Sequence, residues 1–289
     1  MVGLVAAAAF ALELPEPTAA SPHYDLEVLY GERKFDEGLA LAKTQVAATP
    51  DDVDLYWHIC RFMYEKGETI PKSDKAFDKL AWYTEMLDWA TKGLAKKPGD
   101  PHLLFAQGLA NGRYGTTRGV LSTLFLADDI ERDWLTTVNS GYTYRSMGDM
   151  EVLPCDVYTG LAVFYRLVPD SWLVEKIAGT RGSIAKSLEF IEKSDQCFGG
   201  RIAVVKELGL TQICYGQRMD DDTYVAKGLG TLGRGAGIPV EDETDAIDKR
   251  HIGQLLADTS LACGYSRDGQ QDLDEKKLAK GGGAAPIVQ

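Results

Sequence analysis

Apolar residues recur at helical spacing along most of the chain. No segment sustains the alternation of period two that a half-buried strand needs. Leu26, Leu29 and Tyr30 mark a first helix, and Lys34-Phe35 a short turn. A second helix, from about Asp36 to Ala48, places Leu39, Ala42 and Val46 on one face. Thr49-Pro50-Asp51-Asp52 stops it, because proline disfavours a helical conformation in the residue before it. Tyr56, Trp57, Ile59, Cys60 and Met63 form the next apolar face, and an insertion at Gly67 to Asp74 precedes a long helix from Lys75 to Lys97. Pro98-Gly99-Asp100 ends that helix, a third pair opens at Pro101, and Val120 to Leu126 continue the pattern. Further helices are predicted over Asp156–Val168, Trp172–Ile177, Ser183–Ser194 (with Ser183 as N-cap), Arg201–Tyr215, Asp220–Leu232 and Glu243–Ala262. Gly233 to Pro239 reads as a glycine-rich loop, and Met147 to Leu153 gives no periodic pattern. The expectation is an all-α solenoid of stacked antiparallel hairpins, about ten to twelve helices.

The first pair resembles a tetratricopeptide repeat (TPR), in which an aromatic turn separates two antiparallel helices and a proline closes a unit of about 34 residues. With Pro50 as the closing proline, Phe35 takes the aromatic turn position, and Gly38 stands where the family packs a small residue between its helices. Gly108 takes a small-residue position in the third unit. Asp54-Leu55-Tyr56-Trp57, and Trp172 followed by Gly179-Thr180-Arg181-Gly182, are similar to exported bacterial TPR-like proteins. More loosely, these segments are similar to the regulator-of-microtubule-dynamics family and to the soluble T-component of certain solute transporters (TRAP transporters). The resemblance covers roughly residues 25 to 260. It implies helix packing and brings no catalytic residue.

The ends of the chain add a domain scheme. Val2 to Leu14 is an apolar run with the length of a signal-peptide core, and the Pro/Ala-rich stretch Pro15 to Pro22 follows it. Ala9-Phe10-Ala11 offers a cleavage site, although no Lys or Arg precedes the run. Residues 1–22 are therefore expected to be a signal-like segment, 23–265 the helical domain, and 266–289, polar and ending GGGAAPIVQ, a disordered tail. An exported, periplasmic location follows from this scheme, with a cytoplasmic one as the alternative. Nothing later in the chain resembles a membrane span, so membrane association would be peripheral at most.

Charge and chemistry narrow the function. With 43 acidic and 31 basic residues the net charge is -12, and no Lys/Arg run supplies the basic stripe that nucleic acid requires. The five cysteines have no CxxC spacing, which leaves no zinc or haem motif. They read as small hydrophobes in helices, Cys60 and Cys214 best of all. His23, His58, His102 and His251 fall in four segments without ligand spacing, and Asp220-Asp221-Asp222 is a helix start with no calcium-loop order. Gly228-x-Gly230-x-x-Gly233 lacks the preceding strand a dinucleotide site needs. No catalytic residue, metal ligand or cofactor is therefore expected.

Stacked TPR hairpins form a groove lined by first helices, and aromatics concentrate in the second and third units. Tyr56, Arg61, Arg113 and Tyr114 are the candidate groove residues. The expected function is a non-catalytic scaffold or adaptor that binds a protein partner or self-associates in an exported complex. The alternative is an accessory ligand-binding protein of a solute transporter, holding a small hydrophobic molecule in a central cleft.

Overall fold

A computed structural model describes residues 14–198, 200–274 and 276–277. Residues 1–13, most of the expected signal-like segment, lie outside this range. Among the described residues, twelve α-helices follow one another: α1 Tyr24–Gly31, α2 Phe35–Ala48, α3 Asp54–Thr69, α4 Lys79–Lys96, α5 Pro101–Arg118, α6 Ala127–Asn139, α7 Cys155–Leu167, α8 Trp172–Ala178, α9 Ile184–Phe198, α10 Ile202–Met219, α11 Asp222–Gly237 and α12 Glu243–Ala257. Each packs on its neighbour in sequence from α1 to α7, then α7 on α9 and α9 through α12 in turn. This is the expected all-α, TPR-like stack of antiparallel hairpins. The only sheet among the described residues pairs β1 (Tyr144–Arg145) with β2 (Val152–Leu153), across the stretch that lacked a pattern.

The local reasons are the predicted ones. Leu39, Ala42 and Val46 are buried as one face of α2. Gly38 lets the Phe62 ring press against the α2 backbone, where a Cβ would overlap it. Gly108 does the same for the Trp134 indole. Asp78, Asp100, Ser171, Asp221 and Asp242 each accept a backbone N–H at a helix start. Ser183 Oγ accepts the Lys186 N–H, as its N-cap role requires.

Four expectations are corrected. Val120–Leu126 is a 3-10 segment before α6, because Thr123 leaves helical geometry. The glycine-rich stretch after Leu232 belongs to α11 through Gly237, since α10 and α11 approach closely: a Cβ at Gly228 would lie 2.5 Å from the Gly209 carbonyl. Tight packing there outweighs the low helix propensity of glycine. Cys214 is not a free apolar thiol. Cys155 is bonded to Cys197 and Cys214 to Cys263, tying α7 to α9 and α10 to the segment after α12, while Cys60 stays free and buried.

The fourth correction concerns the tail. Ser266, Asp268 and Gln271 are buried, so the domain continues past residue 265. Asp268 bonds Lys79 and Arg113 from α4 and α5, and Gln271 accepts the Val120 N–H. Residues 266–271 thus form a strap that fastens the C-terminal end of the stack onto its N-terminal half. Arg33, after α1, pairs with Asp242, before α12, and α12 packs on α3. The solenoid curls until its ends meet.

Candidate functional site: a central cavity

Where the ends meet, the stack surrounds a partly open cavity of about 680 Å³. Its lining changes character by element. Phe105 and Leu109 of α5, Leu124, Ile130 and Trp134, and Val163 and Phe164 of α7 give an apolar wall. Arg61, Glu65 and Glu68 of α3, Glu151, Arg201, Lys206 and Glu207 of α10, and Arg267 of the strap give a polar one.

Most charges of the polar wall neutralise one another. Asp268 pairs with Lys79 at 3.1 Å and Arg113 at 3.2 Å, and Arg113 with Glu68 at 2.6 Å. Arg267 joins Glu68 at 3.4 Å to Asp248 at 2.7 Å, and Lys206 joins Asp248 at 2.7 Å to Glu207. Arg166, fully buried, ends the chain on Glu207 at 3.0 Å and donates to the carbonyls of Ala262, Cys263 and Tyr265. This network ties α3, α5, α7, α10, α12 and the strap together around the cavity. Arg61 is held separately by Glu27 at 2.8 Å and by the Tyr144 hydroxyl. Arg201 is held by Asp156 at 2.6 Å.

Two carboxyls differ. Glu65 accepts one hydrogen bond, from the Tyr30 hydroxyl at 3.1 Å, and Glu151 one, from the Trp57 indole at 3.3 Å. Neither has a cation within ion-pair distance among the described residues. Burial therefore dominates: it pushes Glu65 up to about 7 and Glu151 up to about 8, with Arg61 only partly offsetting the rise at Glu151.

The four sequence-predicted groove residues separate. Arg61 and Arg113 line the cavity, both committed to buried ion pairs. Tyr56 is core, its hydroxyl donating to the Pro50 carbonyl at 2.8 Å and its ring packed by Trp89. Tyr114 lies outside the lining and accepts from Arg118, one helical turn on. The structure brings Arg61 and Arg113 to one cavity and places Tyr56 and Tyr114 apart from its lining.

The histidines, scattered in sequence, partly converge. The Trp57 ring stacks on His102 at 3.9 Å and contacts His58, which meets His23 edge-on. Burial lowers His58 and His102 well below the usual histidine range, so both are neutral core groups. His23 pairs with Asp52 at 3.2 Å, with Asp54 adjacent, at the start of α3. Outside the cavity, α8 packs on the 3-10 segment and leaves Trp172 70% and Ile177 56% exposed, with Phe125 56% exposed on that segment.

Fold and site together define an all-α, TPR-like solenoid that curls around an amphipathic cavity. No family's sequence model matches the chain, and no curated protein is significantly similar to it. Among solved structures, the crystal structure of MamA protein is similar at 14% identity, covering 75% of this chain and 95% of that one with a TM-score of 0.41. At that level the superposition carries no functional argument, and the architecture rests on the helix contacts of the chain itself.

Proposed function

We propose that the protein is a non-catalytic binding protein that holds one small amphipathic molecule in its central cavity, as an accessory of solute uptake. The observation that carries this reading is a cavity of about 680 Å³ with an apolar and a polar wall. Ligand sites typically enclose about 300–1,000 Å³, are mostly apolar, and carry a few placed polar groups. The resemblance to transporter T-components supports the same reading. Two disulfides suit an oxidising compartment, which supports export.

A second role, as adaptor for a protein partner, is favoured by Phe125, Trp172 and Ile177, exposed on two elements that pack together. The two roles are compatible, since an uptake accessory must both hold its cargo and meet its transporter.

The test is a thermal-shift series with ten-carbon amphiphiles (decanol, decanoate, decylammonium) on the wild type and on Val163→Trp, which fills the apolar wall. A ligand at a hundred times its Kd stabilises by about 2.7 kcal/mol, or roughly 5 °C for a chain of this size. The expected result is a shift for at least one probe in the wild type and none in the variant. Absence of any shift would remove the reading.

A further inference from the structure

We propose that the chain carries a divalent metal site at the start of α3, where His23, Asp52, Asp54 and His58 hold one Zn2+ ion. None of the four lines the central cavity, so the site stands independently of the ligand-binding reading.

Three donors already stand together. One nitrogen of the His23 imidazole and one carboxylate oxygen each from Asp52 and Asp54 all lie within 4.8 Å of one another. His23 Nε2 and Asp52 Oδ2 are 3.2 Å apart. Ligands bonded to a tetrahedral zinc at about 2.0–2.2 Å stand roughly 3.4 Å from each other, so this pair spans one edge of the tetrahedron. Asp54 is exposed and free to rotate onto the same face. The local charge also favours a cation. Lys96 is taken by Asp51 at 2.9 Å and Lys97 by Asp100 at 2.9 Å. Asp52 meets only His23, and Asp54 forms no ion pair among the described residues. Two carboxylates thus share a single imidazole.

A second observation points to the same ion. His58 follows Asp54 by four residues on α3, which puts both side chains on one helix face. His58 is 2% exposed, and its Nδ1 is buried with no hydrogen-bond partner among the described residues. Such an orphan nitrogen costs free energy until something satisfies it. The rings of His58 and His23 meet with centroids 5.3 Å apart and planes at 71°. Two imidazoles on one tetrahedral zinc place their centroids roughly 5 Å apart, so an ion seated between them uses both. Arg61, one turn beyond His58, does not oppose it, because Glu27 neutralises that guanidinium at 2.8 Å. Imidazole and carboxylate donors without a thiolate suit Zn2+. The bound ion pins the residue before α1 to the start of α3.

The experiment is isothermal titration of Zn2+ into the full chain, first freed of metal with a chelator, at pH 7.5. The expected result is one ion per chain. Asp54→Asn removes an exposed, unpaired ligand, so the fold does not depend on it, and affinity should fall about tenfold or more. Asp222→Asn, on an exposed acidic helix start elsewhere, should change nothing. Co2+ in place of Zn2+ should give the intense visible bands of a four-coordinate ion. His58→Gln, checked for folding by circular dichroism, should lose those bands. Zn2+ binding that is unchanged in Asp54→Asn, or that Asp222→Asn weakens equally, would overturn the site as adventitious surface binding. A weak six-coordinate Co2+ spectrum would overturn the four-ligand set.

Discussion

Replacing Asp268 by Asn removes the charge at the centre of the strap. Its side chain is fully buried, pairs with Lys79 and Arg113, and accepts from the Thr116 and Thr117 hydroxyls. Asparagine keeps the shape and some hydrogen bonds but leaves Lys79, 5% exposed and with no other carboxylate in reach among the described residues, as a buried unpaired cation. Removing one partner of such a pair costs about 3–5 kcal/mol. At about 2 °C per kcal/mol for a chain of this size, Tm should fall by roughly 6–10 °C. The loss should depend on pH. Burial alone would raise the Asp268 pKa, but Arg113 and Lys79 outweigh it and hold the carboxyl below its usual range. Its contribution is therefore present above the unfolded value near ~3.9 and disappears as pH falls through the lower folded value. Melting curves of wild type and variant should be well separated at pH 7 and converge toward pH 3. Asp272→Asn, on an exposed pair with Lys277, is the matched control and should leave Tm unchanged. Lys79→Met in the Asp268→Asn background should recover part of the loss. An Asp268→Asn protein that melts with the wild type at pH 7 would refute the strap and return residues from 266 onward to the status of a tail.

Four further outcomes follow from the structure. Reduction of the two disulfides, which close stretches 42 and 49 residues apart, should destabilise the chain by about 2–4 kcal/mol each, read as a lower denaturant midpoint. Thiol titration of the untreated protein should find one reactive cysteine per chain in denaturant and none when folded, since burial raises the Cys60 thiol far above its ordinary range. Gly38→Ala should cost about 1–3 kcal/mol by driving a methyl into Phe62, whereas Gly230→Ala, on α11 with open space at its Cβ, should stabilise by up to about 1 kcal/mol. Glu151 binds its proton more tightly folded (about 8) than unfolded (~4.3), so from pH 5 to 8 the native state holds the extra proton and stability falls as pH rises. Glu151→Gln should flatten that decline, and an unchanged slope would show that the carboxyl is not buried as described.

Periodicity made the stack legible. The apolar faces of α2, α3 and α7, the N-cap of α9 and the small residues under Phe62 and Trp134 all follow from local rules, because a hairpin buries its face against its nearest neighbour. Closure of the stack did not follow, because long-range pairing carries it. The stretch Ser266 to Asp274 is as polar as any tail, and only partners 150 to 190 positions earlier make Asp268 a buried anchor. Arg61 and Arg113, candidate groove residues by sequence, line the cavity, but their carboxylate partners lie on other turns and elements. Tyr56 shows the limit of the aromatic signal, since a tyrosine that packs between helices and one that awaits a ligand have the same helical spacing. Glu65 and Glu151 gave no signal at all. A carboxylate on an amphipathic helix reads as solvated until the facing wall is known. Cys214 sat in an apolar helix run and still found Cys263, because a buried position and a disulfide are not alternatives.

Native mass spectrometry of the full chain, equilibrated with decylammonium or decanol, tests the central cavity most directly. The account predicts a single bound molecule per wild-type chain and none on Val163→Trp, whose fold and melting temperature remain near wild type. Equal occupancy of both proteins would place binding outside the cavity, and an empty wild type at saturating probe would contradict a ligand-holding interior.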